Sequence, residues 1–247
     1  MTCTGWVRKN NEDACFFGRT FSLTSMKSPL EAVCRKNNGW VIAVADGVGG
    51  QNAGERASHE VVSALASCSK FTDKEITDVL TRLDRRLIEM GRKEEKFAGM
   101  GSVVAGILSN PKGITVFNVG DCRGYAFQKG AYVQVTLDDT IARILDQNGL
   151  GDEEELRAAK LTVITQCIGG KMEPSPLTPH FFQVPVTQPT RFLLCSDGLS
   201  DAVPVAKMTE LAAPPLPCTQ AVQALLQAAK EGETQDNVTI IVVDVAP

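Results

Sequence analysis

The chain has 247 residues, 43% hydrophobic and 22% charged, an ordinary globular balance that excludes collagen-like, disordered and disulfide-scaffold classes. Lys and Arg number 25 against 29 Asp and Glu, giving a net charge of -4 and a pI near 5.3. No basic block tracks a phosphate backbone, so nucleic acid is not expected as a partner. The length suits one α/β or all-β domain over residues 1–247. The eight cysteines are scattered singly, without a C-x-x-C pair, and read as reduced core thiols. Met1–Asp13 lacks the basic start and apolar stretch of a signal peptide, and the longest apolar run, Trp40–Ala45, is too short to span a bilayer. A cytoplasmic protein without a membrane span is expected.

In chain order, Trp40–Ala45 is the first predicted strand and Gly54–Ala66 the first helix. From Thr72 to Arg92 the pattern is helical, because Ile76, Leu80, Leu83, Leu87 and Met90 fall on one face, and Thr72 with Glu75 forms a capping-box signature. Apolar, β-branched runs then predict strands at Ser102–Leu108, Ile114–Val119, Tyr125–Gln128 and Tyr132–Val135. These lie too close together for helical crossovers, so antiparallel pairing is favoured. Residues 141–168 have little strand pattern and read as a small helical insertion or flap. A strand at Arg191–Cys195, a helix at Thr219–Lys230 ended by Gly232 and a strand at Val238–Val243 complete the chain.

Acidic residues recur where these strands end. They are Asn11-Glu12-Asp13, Asp46-Gly47-Val48-Gly49-Gly50, Gly120-Asp121-Cys122-Arg123 and Ser196-Asp197-Gly198, with Asp236-Asn237 before the last strand. One Asp-Gly pair is more often a turn than a ligand. Several carboxylates delivered by rigid strands to one rim repel, however, and their convergence implies a bound cation. Oxygen donors without Cys or His favour Mg²⁺ or Mn²⁺.

Arg8-x-x-Asn11-Glu12-Asp13, Ala45-Asp46-Gly47-x-Gly49-Gly50, Gly101-Ser102, Asn118-x-Gly120-Asp121-x-Arg123, Leu194-Cys195-Ser196-Asp197-Gly198-Leu199-x-Asp201 and Asp236-Asn237-Val238-Thr239 resemble, in order, the motifs of the metal-dependent type 2C Ser/Thr protein phosphatases. The compact length and the Asp-Gly-Val-Gly-Gly form resemble the bacterial branch. The resemblance implies an α+β fold, a four-layer αββα sandwich of two antiparallel sheets flanked by helices. It also implies two core Mn²⁺ or Mg²⁺ ions. Asp46 would bridge them, Asp197 and Asp236 would complete the first site, and Glu12 with the Gly47 carbonyl would serve the second. Asp121 with Asp197 would form a weaker third site, Asp201 is a further candidate ligand, and Asp13 and Asn237 would orient the ligands. Arg8 would bind the substrate phosphate with its planar fork.

Two departures from the family pattern stand out. Val48 occupies the place of a His found in eukaryotic relatives, and Asp138-Asp139-Thr140 replaces the usual Asp-His-Ser. The two histidines, His59 and His180, read as structural. The expected activity is hydrolysis of phosphoserine and phosphothreonine on proteins, opposing a bacterial-type Ser/Thr kinase, by a monomer. The alternatives are a catalytically silent binding module and a phosphatase dedicated to one anti-sigma antagonist.

Overall fold

In a computed structural model the structure describes residues 1–17, 20–22, 25–33, 39–49, 53–152, 156, 163–171, 173 and 175–247. Cys34, Gly50 and most of the expected flap beyond residue 152 lie outside them.

Five strands form one antiparallel sheet, in the order β1 (Thr2–Cys3), β12 (Val238–Val245), β11 (Thr190–Cys195), β7 (Arg123–Gln128), β8 (Ala131–Gln134). The other sheet runs β10 (His180–Val184), β6 (Gly113–Val119), β5 (Gly101–Asn110), β4 (Trp40–Val48), β2 (Ala14–Phe17), β3 (Thr20–Ser22), with the short β9 (Ile168–Gly169) also on β5. Among the described residues the α-helices are α1 (Ala53–Ala66), α2 (Asp73–Lys93), α3 (Ile141–Gln147), α4 (Asp197–Ser200), α5 (Val205–Ala212) and α6 (Cys218–Glu231).

Alternation along the central strands explains the layering. Ile42 and Val44 of β4 face Phe192 and Leu194 of β11 in the core between the sheets. The intervening Val41, Ala43 and Ala45 pack outward on Val61, Leu65, Ile76 and Leu80 of α1 and α2. On the other side Leu193 and Cys195 pack outward on Met208 of α5 and Leu225 and Ala229 of α6. A strand covered on both faces is apolar at every position, which is why Trp40–Ala45 reads as a continuous run. The result is the expected αββα sandwich.

Every predicted strand and helix is present, with two corrections. β4 does not stop before Asp46: it pairs with β5 through Asp46↔Val103, Gly47↔Ser102 and Val48↔Gly101, so Asp46 is clamped within a ladder. The capping box is half formed. Thr72 Oγ1 accepts from the Glu75 amide, but the Glu75 carboxylate accepts instead from the amides of Ser69, Lys70 and Phe71. These three donors cap the preceding turn and hold the Glu75 carboxyl below its ordinary range.

Candidate metal centre

The carboxylates come from both sheets to one rim. Asp46 is on β4; Asp197 opens α4 directly after β11, with Ser196 as its N-cap; Asp236 precedes β12; Glu12 and Asp13 precede β2. Asp121 lies in the turn from β6 to β7 and is buried.

Close backbone packing fixes this corner. Gly47 and Gly54 touch through their backbones, and a Cβ on Gly47 would stand 2.2 Å from the Gly54 carbonyl oxygen. The Glu12 backbone is held on both sides: its amide donates to Asn237 Oδ1 (2.8 Å), and its carbonyl accepts from Ser58 Oγ (2.6 Å) and the Gly47 amide (3.2 Å). Asn237 Nδ2 donates to the carbonyls of Thr4 and Asn10. Ser196 Oγ donates to Asp13 Oδ2 (2.7 Å) and accepts from the Thr239 amide (3.0 Å), joining the two sheets beneath the rim. Asp13 and Asn237 thus each hydrogen-bond across this corner, Asp13 to Ser196 and Asn237 to the Glu12, Thr4 and Asn10 backbone. Ser58 and Ser196 act beside them; Ser196 falls within the Ser196-Asp197-Gly198 motif, whereas no chain-local pattern marks Ser58.

The electrostatics are those of crowded acids. Burial, then the charges of Asp13, Asp197, Asp121 and Asp236, push the Asp46 carboxyl well above its ordinary value. Burial, then Asp236 and Asp201, raise Asp197 to about 6, although Asp46 shares a hydrogen bond with it. Burial raises Asp13 to about 7 and also raises Glu12. Two buried oxygens, Asp13 Oδ1 and Asp197 Oδ1, find no hydrogen-bond partner. Orphaned acceptors within an all-oxygen donor set fit hard divalent cations. Among the described residues no three such side chains close on one point as a ready-made chelate. Asp236 is engaged instead by Arg8, whose Nη2 stands 2.5 Å from Asp236 Oδ2 at a half-exposed surface.

Asp201 is exposed, one turn beyond Asp197, and its amide donates to the Asp197 carbonyl. His59 lies on α1 with its Nε2 4.0 Å from Glu55 Oε1. His180 has a role that chain-local reading misses. Its Nε2 lies 2.8 Å from Asp139 Oδ1, while Asp139 Oδ2 accepts from the Gly120 amide and from Gln166 Nε2, both at 2.8 Å. The departure at Asp138-Asp139-Thr140 is thereby accounted for. Asp138 takes the buried Arg123 guanidinium, Asp139 clamps the turn carrying Asp121, and Thr140 caps α3.

A model of the protein phosphatase 2C family matches residues 30–237. The chain is 33% identical to the serine/threonine protein phosphatase PstP of Mycobacterium tuberculosis, over 98% of this chain and 43% of that protein. It is 28% identical to the serine/threonine phosphatase stp of Listeria monocytogenes, over 98% of this chain and 93% of that protein. The solved catalytic domain of PstP in complex with two manganese ions superposes with a TM-score of 0.79 at 28% identity, over 100% of this chain and 96% of that one. The chain belongs to the protein phosphatase 2C family. It spans less than half the length of the PstP relative.

Proposed function

We propose that the protein is a metal-dependent phosphatase of phosphoserine and phosphothreonine on proteins. The observation that carries this reading is the rim where Asp46, Asp197, Asp13 and Asp236 crowd together with two orphaned carboxylate oxygens. Such a cluster is costly unless a cation neutralises it. Glu12, Asp46, the Gly47 carbonyl, Asp197 and Asp236 would hold two ions, and Asp121 with Asp197 a weaker third, with Asp201 a further candidate ligand. When bound, Mn²⁺ or Mg²⁺ would neutralise phosphate oxygens and activate water for attack on phosphorus.

The chain's own residues do the rest. Arg8, already at the rim, offers two parallel N–H groups to the phosphoryl oxygens. Asp13, Ser196 and Asn237 keep the ligand-bearing corners in register. The buried thiols are unsuited to attack: burial pushes Cys15 up to about 11 and holds Cys122 and Cys195 well above the ordinary thiol value, so these three are not thiolates near neutral pH. The seven described cysteines are all free, which supports a reducing, cytoplasmic setting. No helix among the described residues is long and apolar enough to cross a membrane. A Ser/Thr protein kinase would supply the substrate, and the enzyme would act as a monomer.

The test is hydrolysis of a phosphothreonine peptide with Mn²⁺ and with excess chelator. Turnover that needs the metal and survives thiol alkylation is expected. Full activity in chelator, or loss on blocking one thiol, would sink the reading.

A further inference from the structure

Two residues before Arg8 the chain enters a second cleft. The loop over residues 4–8 is held against the Asp236–Asn237 corner: Asn237 Nδ2 donates to the Thr4 carbonyl at 2.9 Å, and a Cβ on Gly5 would stand 2.2 Å from the Asp236 carbonyl oxygen. Beside this loop lies a cleft of about 210 Å³, walled by Trp6, Lys27 and Pro29 and by Gln223, Leu226 and Lys230 of α6. Trp6 is 45% exposed, with Lys230 Nζ 5.6 Å from its ring centroid. Trp6 and Leu226 thus give the cleft an apolar floor within a polar rim. Neither Lys27 nor Lys230 has an ion-pair partner among the described residues. Glu231, the adjoining carboxylate, accepts a hydrogen bond from Gln227 Nε2 at 2.9 Å.

We propose that this cleft receives an acidic side chain of the phosphoprotein substrate, two residues from the phosphorylated Ser or Thr. The proposal rests on the phosphatase reading and deepens it. Trp6 and Arg8 are two residues apart, so their Cα atoms lie within about 7 Å. That is the span over which alternate side chains of an extended peptide point the same way. With the phosphoryl group on Arg8, a neighbour two residues along reaches the cleft. The Lys230 ammonium over the indole, with Lys27 on the cleft wall, suits an anionic head whose short aliphatic stem lies on Trp6 and Leu226. A lysine or arginine there would meet uncompensated like charge.

The test uses phosphothreonine peptides that differ only in carrying Glu, Ala or Lys two positions before or after the phosphoresidue. With Mn²⁺ at low salt the protein should favour Glu over Ala at one of these positions by about five- to tenfold in kcat/KM, the preference shrinking as salt is added. In Lys27→Ala/Lys230→Ala the ratio should fall to about one, and in Lys27→Glu/Lys230→Glu it should invert toward the Lys peptide. Because the ratio is read within each variant, a general loss of activity cancels. Anisotropy of the same fluorescein-labelled peptides on Asp46→Asn reads the preference as a ratio of Kd values, without turnover. Hydrolysis of all peptides with a Glu-to-Ala ratio near one, or a preference untouched in both lysine variants, would overturn the cleft's role alone. Failure to hydrolyse any phosphopeptide would overturn the phosphatase reading and this proposal with it.

Discussion

Asp46 shows how one side chain carries two opposed demands. It is clamped in the β4–β5 ladder, where burial first and then the charges of Asp13 and Asp197 strongly disfavour its ionised form without a cation. Asp46→Asn should cut turnover by more than about 100-fold, a loss that even the residues orienting a ligand can cause. In chelator the same variant should melt higher, because carboxylate repulsion falls; about 1 kcal/mol would raise Tm by roughly 2–4 °C. A lower Tm in chelator would show that Asp46 is bound by the fold rather than strained within it. Arg8 behaves differently, since it already has a partner in Asp236. Arg8→Ala should raise KM for a phosphopeptide by roughly 10–100-fold, the loss of its charge-assisted hydrogen bonding to the phosphoryl group. Because Arg8 competes for Asp236, Mn²⁺ affinity measured by titration should not weaken. A parallel loss of Mn²⁺ binding would mean that Arg8 supports the acidic cluster rather than the substrate.

Elements set these side chains in place, and the contact of β4 with the start of α1 is the tightest joint. A methyl group on Gly47 has no room against the Gly54 carbonyl, so Gly47→Ala should cost about 1–3 kcal/mol in urea unfolding and shift the strand that carries Asp46. An unchanged midpoint would show that α1 yields. The sandwich's central strands were legible because burial on both faces leaves an unbroken apolar run, as in Val41–Ala45 and Phe192–Cys195. The two-residue β1 and β9, and the four-residue β2, are too short to show a period. Of the site, the acidic residues were legible because each stands beside a strand end or turn. What supports them was not: Ser58 reaches Glu12 across 46 residues, Ser196 reaches Asp13 across 183, and His180 reaches Asp139 across 41. Nothing in the local sequence announces contacts made only when two sheets meet.

At the scale of the molecule, the chain's ends close the five-stranded sheet, with β12 threaded between β1 and β11. Away from the acidic rim this sheet is fastened by Arg191 of β11, whose Nε and Nη2 both stand 2.7 Å from the Asp244 carboxylate of β12. Arg191 is buried, and its Nη1 also donates to the Ala212 carbonyl at the end of α5, tying the sheet to its helical layer. Cys218, its thiol pushed up to about 11 by burial and then by Asp244, remains a donor to the same carboxylate. The hydrogen bonds from Arg191 hold the Asp244 carboxyl below its ordinary value. A depressed folded-state value means that the unfolded chain binds the proton first. The pair's stabilisation is therefore fully present above the unfolded value of about 3.9 and is lost as pH falls through the lower folded value. Asp244→Asn should destabilise the protein by about 1 kcal/mol at pH 7, since the half-exposed carboxylate is screened by solvent. The gap between variant and wild type should narrow below about pH 4, where protonated Asp244 resembles Asn. Comparing the two proteins at each pH cancels the buried acids of the rim, whose raised values act in the opposite sense. Urea unfolding of both from pH 3 to pH 8 measures this gap, and a gap independent of pH would show that Asp244 acts through packing rather than charge.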